Sequence, residues 1–188
     1  MDLRFRDLNA LGLLCLSGVL LYALWSQIWD NELPCPLCLL QRLGFVGVMA
    51  GLLLNLVFGP KPAHYGFAIL AALFGMAGAL RQTALHVIPG SGVYGPPLLG
   101  LHFYVWAFIL FFIIIFVLAV IASFNGQYAK TRAFISFNHQ SMLGKFSLIA
   151  TIGVVALNAL STFAECGPLV CPDNPTGYWL FSKASVSQ

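Results

Sequence analysis

The chain has 188 residues, of which 60% are hydrophobic and only 8% are charged, and its mean hydropathy is +0.88. These values exclude an ordinary water-soluble globular protein and indicate a protein that crosses a membrane several times. The formal net charge of +3 comes without a basic run or a basic and aromatic patch outside the apolar segments, so nothing in the sequence favours nucleic-acid binding.

Five apolar segments come close to the roughly 20 residues that a helix needs to cross a bilayer. In chain order they cover approximately residues 10–29, 39–58, 65–88, 99–124 and 146–164. Basic residues precede the first segment, as in a signal peptide, but it is full length and lacks a convincing cleavage site, so we interpret it as a retained helix. We therefore expect one all-α integral membrane domain over residues 1–188.

The basic residues predict the orientation of these spans, because Lys and Arg in short loops favour the cytoplasmic side. Six of them fall on one side of the predicted membrane, namely Arg4, Arg6, Lys61, Lys130, Arg132 and Lys145. The other side has fewer basic residues and most of the acidic ones, namely Arg42, Arg81 and Lys183 with Asp30, Glu32, Glu165 and Asp173. We expect a cytoplasmic N-terminus and an external C-terminus.

Four of the five cysteines fall in two close pairs on the external side, Cys35 with Cys38 and Cys166 with Cys171. Cys15 lies within the first span and is expected to be a small packing residue. The exterior of a cell membrane is oxidising, so each pair can form a disulfide. Three interpretations stay open from the residues alone: structural disulfides, a four-thiolate zinc site, or a relay that passes electrons between the pairs. A loop of two residues is often strained and readily reduced, which disfavours a structural bridge at the first pair.

Arg42 is expected to act on the first pair. The second span begins near Pro36, which suits the first turn of a helix, so Cys38 lies in that turn with Arg42 four residues later on the same face. Helical side chains lean toward the N-terminus, so the guanidinium should reach back toward the Cys38 sulfur. The helix N-terminus and the cation both favour a thiolate, which makes Cys38 a better candidate for this form than Cys35.

Further polar residues end the third span and begin the fourth, at a depth similar to that of Arg42: Arg81, Gln82, His86 and His102. With Gln41 they are expected to form a polar cluster beside Cys38. A dithiol that is reoxidised repeatedly needs an electron acceptor, and the sequence has no flavin, nucleotide or haem-attachment motif. A quinone that arrives from the lipid, hydrogen-bonded by Arg42 or a histidine, fits better.

Three stretches, "CPLCLLQR" after the first span, "ALRQTALHVIPG" at the end of the third and "GLHFYVWAF" at the start of the fourth, resemble the DsbB family of quinone-dependent disulfide oxidases. We expect the similarity to cover most of the chain. The resemblance implies a four-helix bundle core, to which the fifth span is additional, in the bacterial inner membrane. It also implies electron transfer from a periplasmic DsbA-like protein of thioredoxin fold to ubiquinone or menaquinone.

The resemblance also implies residue roles. Cys35 and Cys38 match the family's quinone-side pair and Arg42 its quinone-site arginine, whereas Arg81 and His86 match less closely. The family's second pair lies between the third and fourth spans, but Cys166 and Cys171 follow the fifth. We expect these two cysteines to take over that role.

Two other functions remain as alternatives. The first is a quinone reductase similar to vitamin K epoxide reductase, although that family's active pair usually comes late in the chain. The second is a non-enzymatic membrane transporter whose cysteines are structural or bind metal. The expected absence of acidic residues within the spans disfavours an ion pathway.

Overall fold

The computed structural model describes residues 2–30, 33–86, 97–128, 134–168, 171 and 177–182, and the side chains of residues 2–4 and 182 are left out. Several residues used in the orientation argument therefore lie outside the described part: Glu32, Lys130, Arg132, Asp173, Lys183 and the side chain of Arg4.

Five long helices make up most of the described chain. They are α1 (Asp2–Trp29), α2 (Pro36–Phe58), α3 (Pro62–Leu85), α4 (Phe103–Ala122) and α5 (Met142–Cys166), and a short α6 (Trp179–Ser182) follows. Each of the five is long and apolar enough to cross a membrane. The prediction of an all-α polytopic membrane protein is confirmed.

The helix ends differ from the predicted spans: α4 is shorter than the predicted 99–124, whereas α5 is longer than the predicted 146–164 because polar residues extend it beyond its apolar part. The hydroxyl of Ser141 caps α5 by accepting a hydrogen bond from the Gly144 amide at 3.1 Å, so this helix begins before the predicted residue 146. It also continues to Cys166, which places Glu165 inside the last turn. The expectation that no acidic residue lies within a span is therefore wrong.

Four helices form a ring. Neighbours along the chain pack together, α1 on α2, α2 on α3 and α3 on α4. The ring closes where α4 meets α1 at both ends, with ring centroids 5.8 Å apart for Tyr22 and Phe103 and 6.4 Å apart for Phe5 and Phe124. Helix α5 packs outside the ring against α1 and α2, as the fifth helix added to a four-helix core.

Small residues allow α2 and α3 to approach closely. A Cβ atom added to Gly44 would lie 2.7 Å from the Cα atom of Gly75. The Phe111 ring of α4 covers Gly75 and stacks on Phe45 of α2, with centroids 4.1 Å apart. Helices in lipid associate mainly by such close packing, so this contact holds α2, α3 and α4 in register.

The two ends of the bundle differ in their polar residues. The basic end, where α1 and α5 begin and α2 ends, contains Arg6, Lys61 and Lys145, and the buried Arg6 donates to the Leu56 carbonyl at 2.6 Å. The cysteine end, where α1 and α5 end and α2 begins, contains both cysteine pairs. All four paired cysteines therefore lie at the same end, as predicted.

Candidate functional site

The first cysteine pair begins α2. Cys35 is the N-cap, and its sulfur accepts a hydrogen bond from the Cys38 amide at 3.2 Å, while Pro36 opens the helix. The two Sγ atoms lie 2.6 Å apart and both cysteines are free thiols. Cys35 is 4% exposed and Cys38 is half-buried. The N-cap geometry of α2 thus brings the two sulfurs together, as their spacing in the sequence predicted.

A glutamine from α3 binds both sulfurs. The Nε2 atom of Gln82 donates to the sulfur of Cys35 at 3.2 Å and to that of Cys38 at 3.3 Å. Its Oε1 atom accepts from Gln41 at 2.6 Å, which fixes the direction of the Gln82 amide. The Gln82 side chain is completely buried. The sequence placed Gln82 near the pair, but only the packing of α3 on α2 makes it the direct partner.

Arg42 points to α1 instead of to Cys38. Its Nη1 atom donates to Oε1 of Gln27 at 2.8 Å and its Nη2 atom donates to the Ala23 carbonyl at 3.1 Å. Helix α1 presents these two acceptors beside the guanidinium, which was predicted to reach back toward the Cys38 sulfur. Arg42 nevertheless lies one helical turn after Cys38 in α2, so its positive charge stays near that sulfur.

The pKa of Cys35 is raised well above its ordinary value. The main cause is the hydrogen bond between the Cys35 and Cys38 thiols, and burial of Cys35 adds to it. Cys35 therefore keeps its proton in the pH range in which an ordinary cysteine ionises.

A cavity of about 810 Å³ lies between α1 and α4, with α2 behind it. Most of its wall is apolar, with Val19, Phe45, Trp106 and Leu110 among the side chains that line it. Its polar groups gather at the cysteine end and include Cys35, Cys38, Gln41, Arg42 and Gln27. This combination of an apolar wall and a few polar groups at one end is typical of sites for ring-shaped lipophilic molecules.

Cys15 differs from its prediction. It is exposed on α1 and lines the cavity, whereas the sequence suggested a buried packing residue. The face of α1 that carries Cys15 forms part of the cavity wall.

The two predicted histidines lie behind the cavity wall. Nδ1 of His86 is 2.7 Å from the Gln82 carbonyl oxygen. The Tyr104 ring, which does line the cavity, stacks on His102 at 5.5 Å and lies 5.3 Å from His86. Tyr104 therefore connects both histidines to the cavity. Arg81 is exposed and lies outside the described lining, so the geometry does not favour its predicted position beside Cys38.

The second pair is bonded and closes α5. Cys166 and Cys171 form a disulfide, and the buried Glu165 precedes it. Glu165 accepts a long hydrogen bond of 3.5 Å from Gln27, the same residue that binds Arg42. A single α1 side chain therefore connects the helix of the first pair with the helix of the second. Gln27 and Glu165 were not predicted as site residues, although a lone glutamine in an apolar span is a usable signal.

Within the described part of the chain, no group of three or more His, Cys, Asp or Glu side chains is arranged to hold a metal ion.

Residues 5–93 match the family model described as Disulfide bond formation protein DsbB. The chain is 36% identical over 101 residues to Disulfide bond formation protein B of Xanthomonas axonopodis pv. citri, a match that covers 50% of this chain and 59% of that protein. It is 38% identical over 98 residues to the protein of the same name from Chromobacterium violaceum, covering 49% of this chain and 57% of the relative. No solved structure shows significant similarity to the chain.

The family match includes α1, α2, α3 and the first cysteine pair, together with Gln27, Arg42 and Gln82. The stretch "GLHFYVWAF", helix α5 and the second pair lie beyond residue 93, so the expected similarity over most of the chain is wrong. The match nevertheless contains the motif "CPLCLLQR" in its structural position at the start of α2. Over residues 5–93, the chain is therefore similar to the DsbB family, and it spans less than two thirds of the length of the relatives it matches.

Proposed function

We propose that this protein is a membrane thiol-disulfide oxidoreductase that reoxidises a DsbA-like dithiol of thioredoxin fold and passes the electrons to a membrane quinone, ubiquinone or menaquinone. The observation that carries the proposal is the position of Cys38, which lies between the Gln82 amide and a largely apolar cavity of about 810 Å³. The similarity to the DsbB family over residues 5–93 and the disulfide of the second pair at the same end support it.

The proposed orientation places the cysteine end in the periplasm and the basic end in the cytoplasm. The described basic residues Arg6, Lys61 and Lys145 at the opposite end support this orientation through the positive-inside bias. The whole chain would then act as one integral domain of the bacterial inner membrane.

Thiol exchange at the second pair is the proposed first step. A thiolate of the reduced partner attacks one sulfur of the Cys166 and Cys171 disulfide and forms a mixed disulfide. The partner's second thiolate then releases it, so the partner leaves oxidised and Cys166 and Cys171 become a dithiol. That dithiol reduces a disulfide between Cys35 and Cys38 by the same two exchanges and returns to its bonded form.

When bound, a quinone would supply the two-electron oxidation that joins Cys35 and Cys38 in a disulfide, and it would take up the two protons that the thiols release. Gln82 stabilises negative charge on the Cys38 sulfur during this oxidation.

The cavity fits a quinone by its chemistry. The apolar wall suits a ring with an isoprenoid chain, and Arg42 is the cation at the polar end, where it would hold a ring oxygen. His86 and His102 would act on the quinone site indirectly, through their ring contacts with Tyr104. The exposed position of Arg81 gives its proposed cofactor role the least support.

The deciding experiment uses the whole protein purified in detergent, a reduced thioredoxin-fold dithiol and a quinone, with quinone absorbance as the readout. We expect quinone reduction by the parent and none by Cys38→Ser. Reduction by Cys38→Ser at the parental rate would refute the proposed mechanism. Alkylation of reduced cells with a membrane-impermeant reagent tests the orientation, since Cys166 and Cys171 should react from outside.

A further inference from the structure

The Gln27 amide is the centre of a buried polar network that joins α1, α2, α5 and the segment before α6. Its Oε1 atom accepts from Arg42 at 2.8 Å and from the Ser161 hydroxyl at 3.1 Å. Its Nε2 atom donates to Glu165 at 3.5 Å and to the Tyr178 hydroxyl at 3.3 Å. Gln27 is 2% exposed, so both ends of this amide depend on protein partners.

Among the described residues, no carboxylate contacts the Arg42 guanidinium directly. Its described hydrogen bonds go to neutral oxygen atoms, those of Gln27 and Ala23. A charge inside a membrane protein is costly unless an opposite charge or a polar network compensates it. Glu165 is the acidic residue of the Gln27 network and is 2% exposed, and it shares the Gln27 amide with Arg42.

We propose that Glu165 on the fifth helix is a positioning residue for Arg42, acting through the amide of Gln27. A carboxylate at the Nε2 side of Gln27 keeps the donor end of the amide turned toward α5. The carbonyl end then faces Arg42, and the guanidinium stays at the cysteine end of the cavity. This inference rests on the proposed function, because it assigns to α5 a part in the quinone side of the reaction.

The location of Glu165 gives the network a second consequence. Glu165 is the neighbour of Cys166 in the last turn of α5, whereas Arg42 lies one turn after Cys38 in α2. The segment that carries the second pair and the residue proposed to hold the quinone are therefore connected by two hydrogen-bonded contacts. Helix α5 lies beyond the part of the chain that matches the family, so this connection is a feature of the added helix.

The test moves the carboxylate along the network. Glu165→Gln removes the charge and keeps the size of the side chain. The double variant Gln27→Glu with Glu165→Gln places a carboxylate directly beside Arg42 and an amide at position 165, which reverses the donor and acceptor roles. Asp30→Asn is the matched control, because Asp30 is an exposed acid at the same end whose carboxylate accepts from Ser26 outside the network.

Quinone binding is measured without turnover, in the whole protein with Cys38→Ser present in every variant. A short-chain ubiquinone is titrated and the quenching of tryptophan fluorescence is followed, since Trp106 lines the cavity. We expect Glu165→Gln to weaken binding roughly tenfold, as loss of a charge-assisted contact does. The double variant should return to within about twofold of the parent, and Asp30→Asn should match the parent.

The possible outcomes separate the two proposals. Unchanged binding by Glu165→Gln would overturn the role of Glu165, and so would a double variant that binds no better than Glu165→Gln. A purely structural role for Glu165 predicts that the double variant does not recover quinone binding. In that case each of the two substitutions in the buried network weakens binding further. If Cys38→Ser alone does not bind quinone and the protein with Cys38 does not reduce it, the proposed function itself fails.

Discussion

Gln82 and Cys38 are joined by a hydrogen bond of 3.3 Å from the side-chain amide of α3 to the sulfur at the start of α2. The same amide donates to Cys35 at 3.2 Å, so one buried glutamine contacts both members of the pair. An amide donor stabilises a negative sulfur more than a neutral one. Gln82 is therefore expected to make the pair easier to ionise and more oxidising.

Replacing Gln82 with leucine tests this contact. We expect Gln82→Leu to slow alkylation of Cys38 at pH 7 by about tenfold, because the hydrogen bonds that favour the thiolate are lost. Mass spectrometry of the reduced protein gives the rate. Thr83→Val is the control, since the Thr83 hydroxyl donates to the Ala79 carbonyl of its own helix. Equal rates for Gln82→Leu and the parent would show that the amide does not affect the sulfur.

The raised pKa of Cys35 predicts a specific pH dependence. A thiol whose pKa exceeds the ordinary 9.0 has a smaller thiolate fraction at every pH below that value, so its alkylation should still be increasing above pH 9. The measurement is the rate of Cys35 alkylation against pH in the reduced, folded protein. Restricted access of the reagent to the sulfur would slow the reaction by the same factor at each pH without moving the midpoint. A midpoint at or below 9 would contradict the prediction.

The roles of the two cysteine pairs can be distinguished by changing the electron donor. The variant in which both Cys166 and Cys171 are serine keeps Cys35, Cys38 and the cavity. We expect it to reduce quinone with a small dithiol such as dithiothreitol, because the half-buried Cys38 is accessible to small molecules. With a reduced thioredoxin-fold protein, the rate should fall at least about tenfold, since the proposed entry disulfide is absent. Equal rates with the protein donor would remove the second pair from the relay.

The contact of Gly75 with Phe111 predicts a stability effect. In Gly75→Ala, the new methyl group would overlap the Phe111 ring, and we expect a loss of about 1–3 kcal/mol from overpacking. Thermal unfolding in detergent measures it. Gly66→Ala is the matched control on the same helix, because an added Cβ at Gly66 meets nothing within 4 Å. Equal losses in both variants would indicate a general effect of alanine in α3.

Much of this protein follows from local patterns in the sequence. Apolar length predicts the five spans, and the residues "CPLC" at a helix start bring two sulfurs together, because these features depend on neighbours within one or two helical turns. The same local geometry places Arg42 one turn after Cys38. It does not decide where the flexible guanidinium binds, since that depends on which acceptors the adjacent helix offers.

The tertiary structure decided the partners of the site. Gln82 is 44 residues from Cys38 in the chain, and Glu165 is 138 residues from Gln27, so only the packing of α3 on α2 and of α5 on α1 brings them into contact. Local sequence patterns are sufficient to predict a reactive cysteine pair at one end of a helical membrane protein. The packing brings Gln82 to these sulfurs and turns Arg42 to Gln27. The period of the apolar residues predicts each helix, but it does not predict which helices pack together.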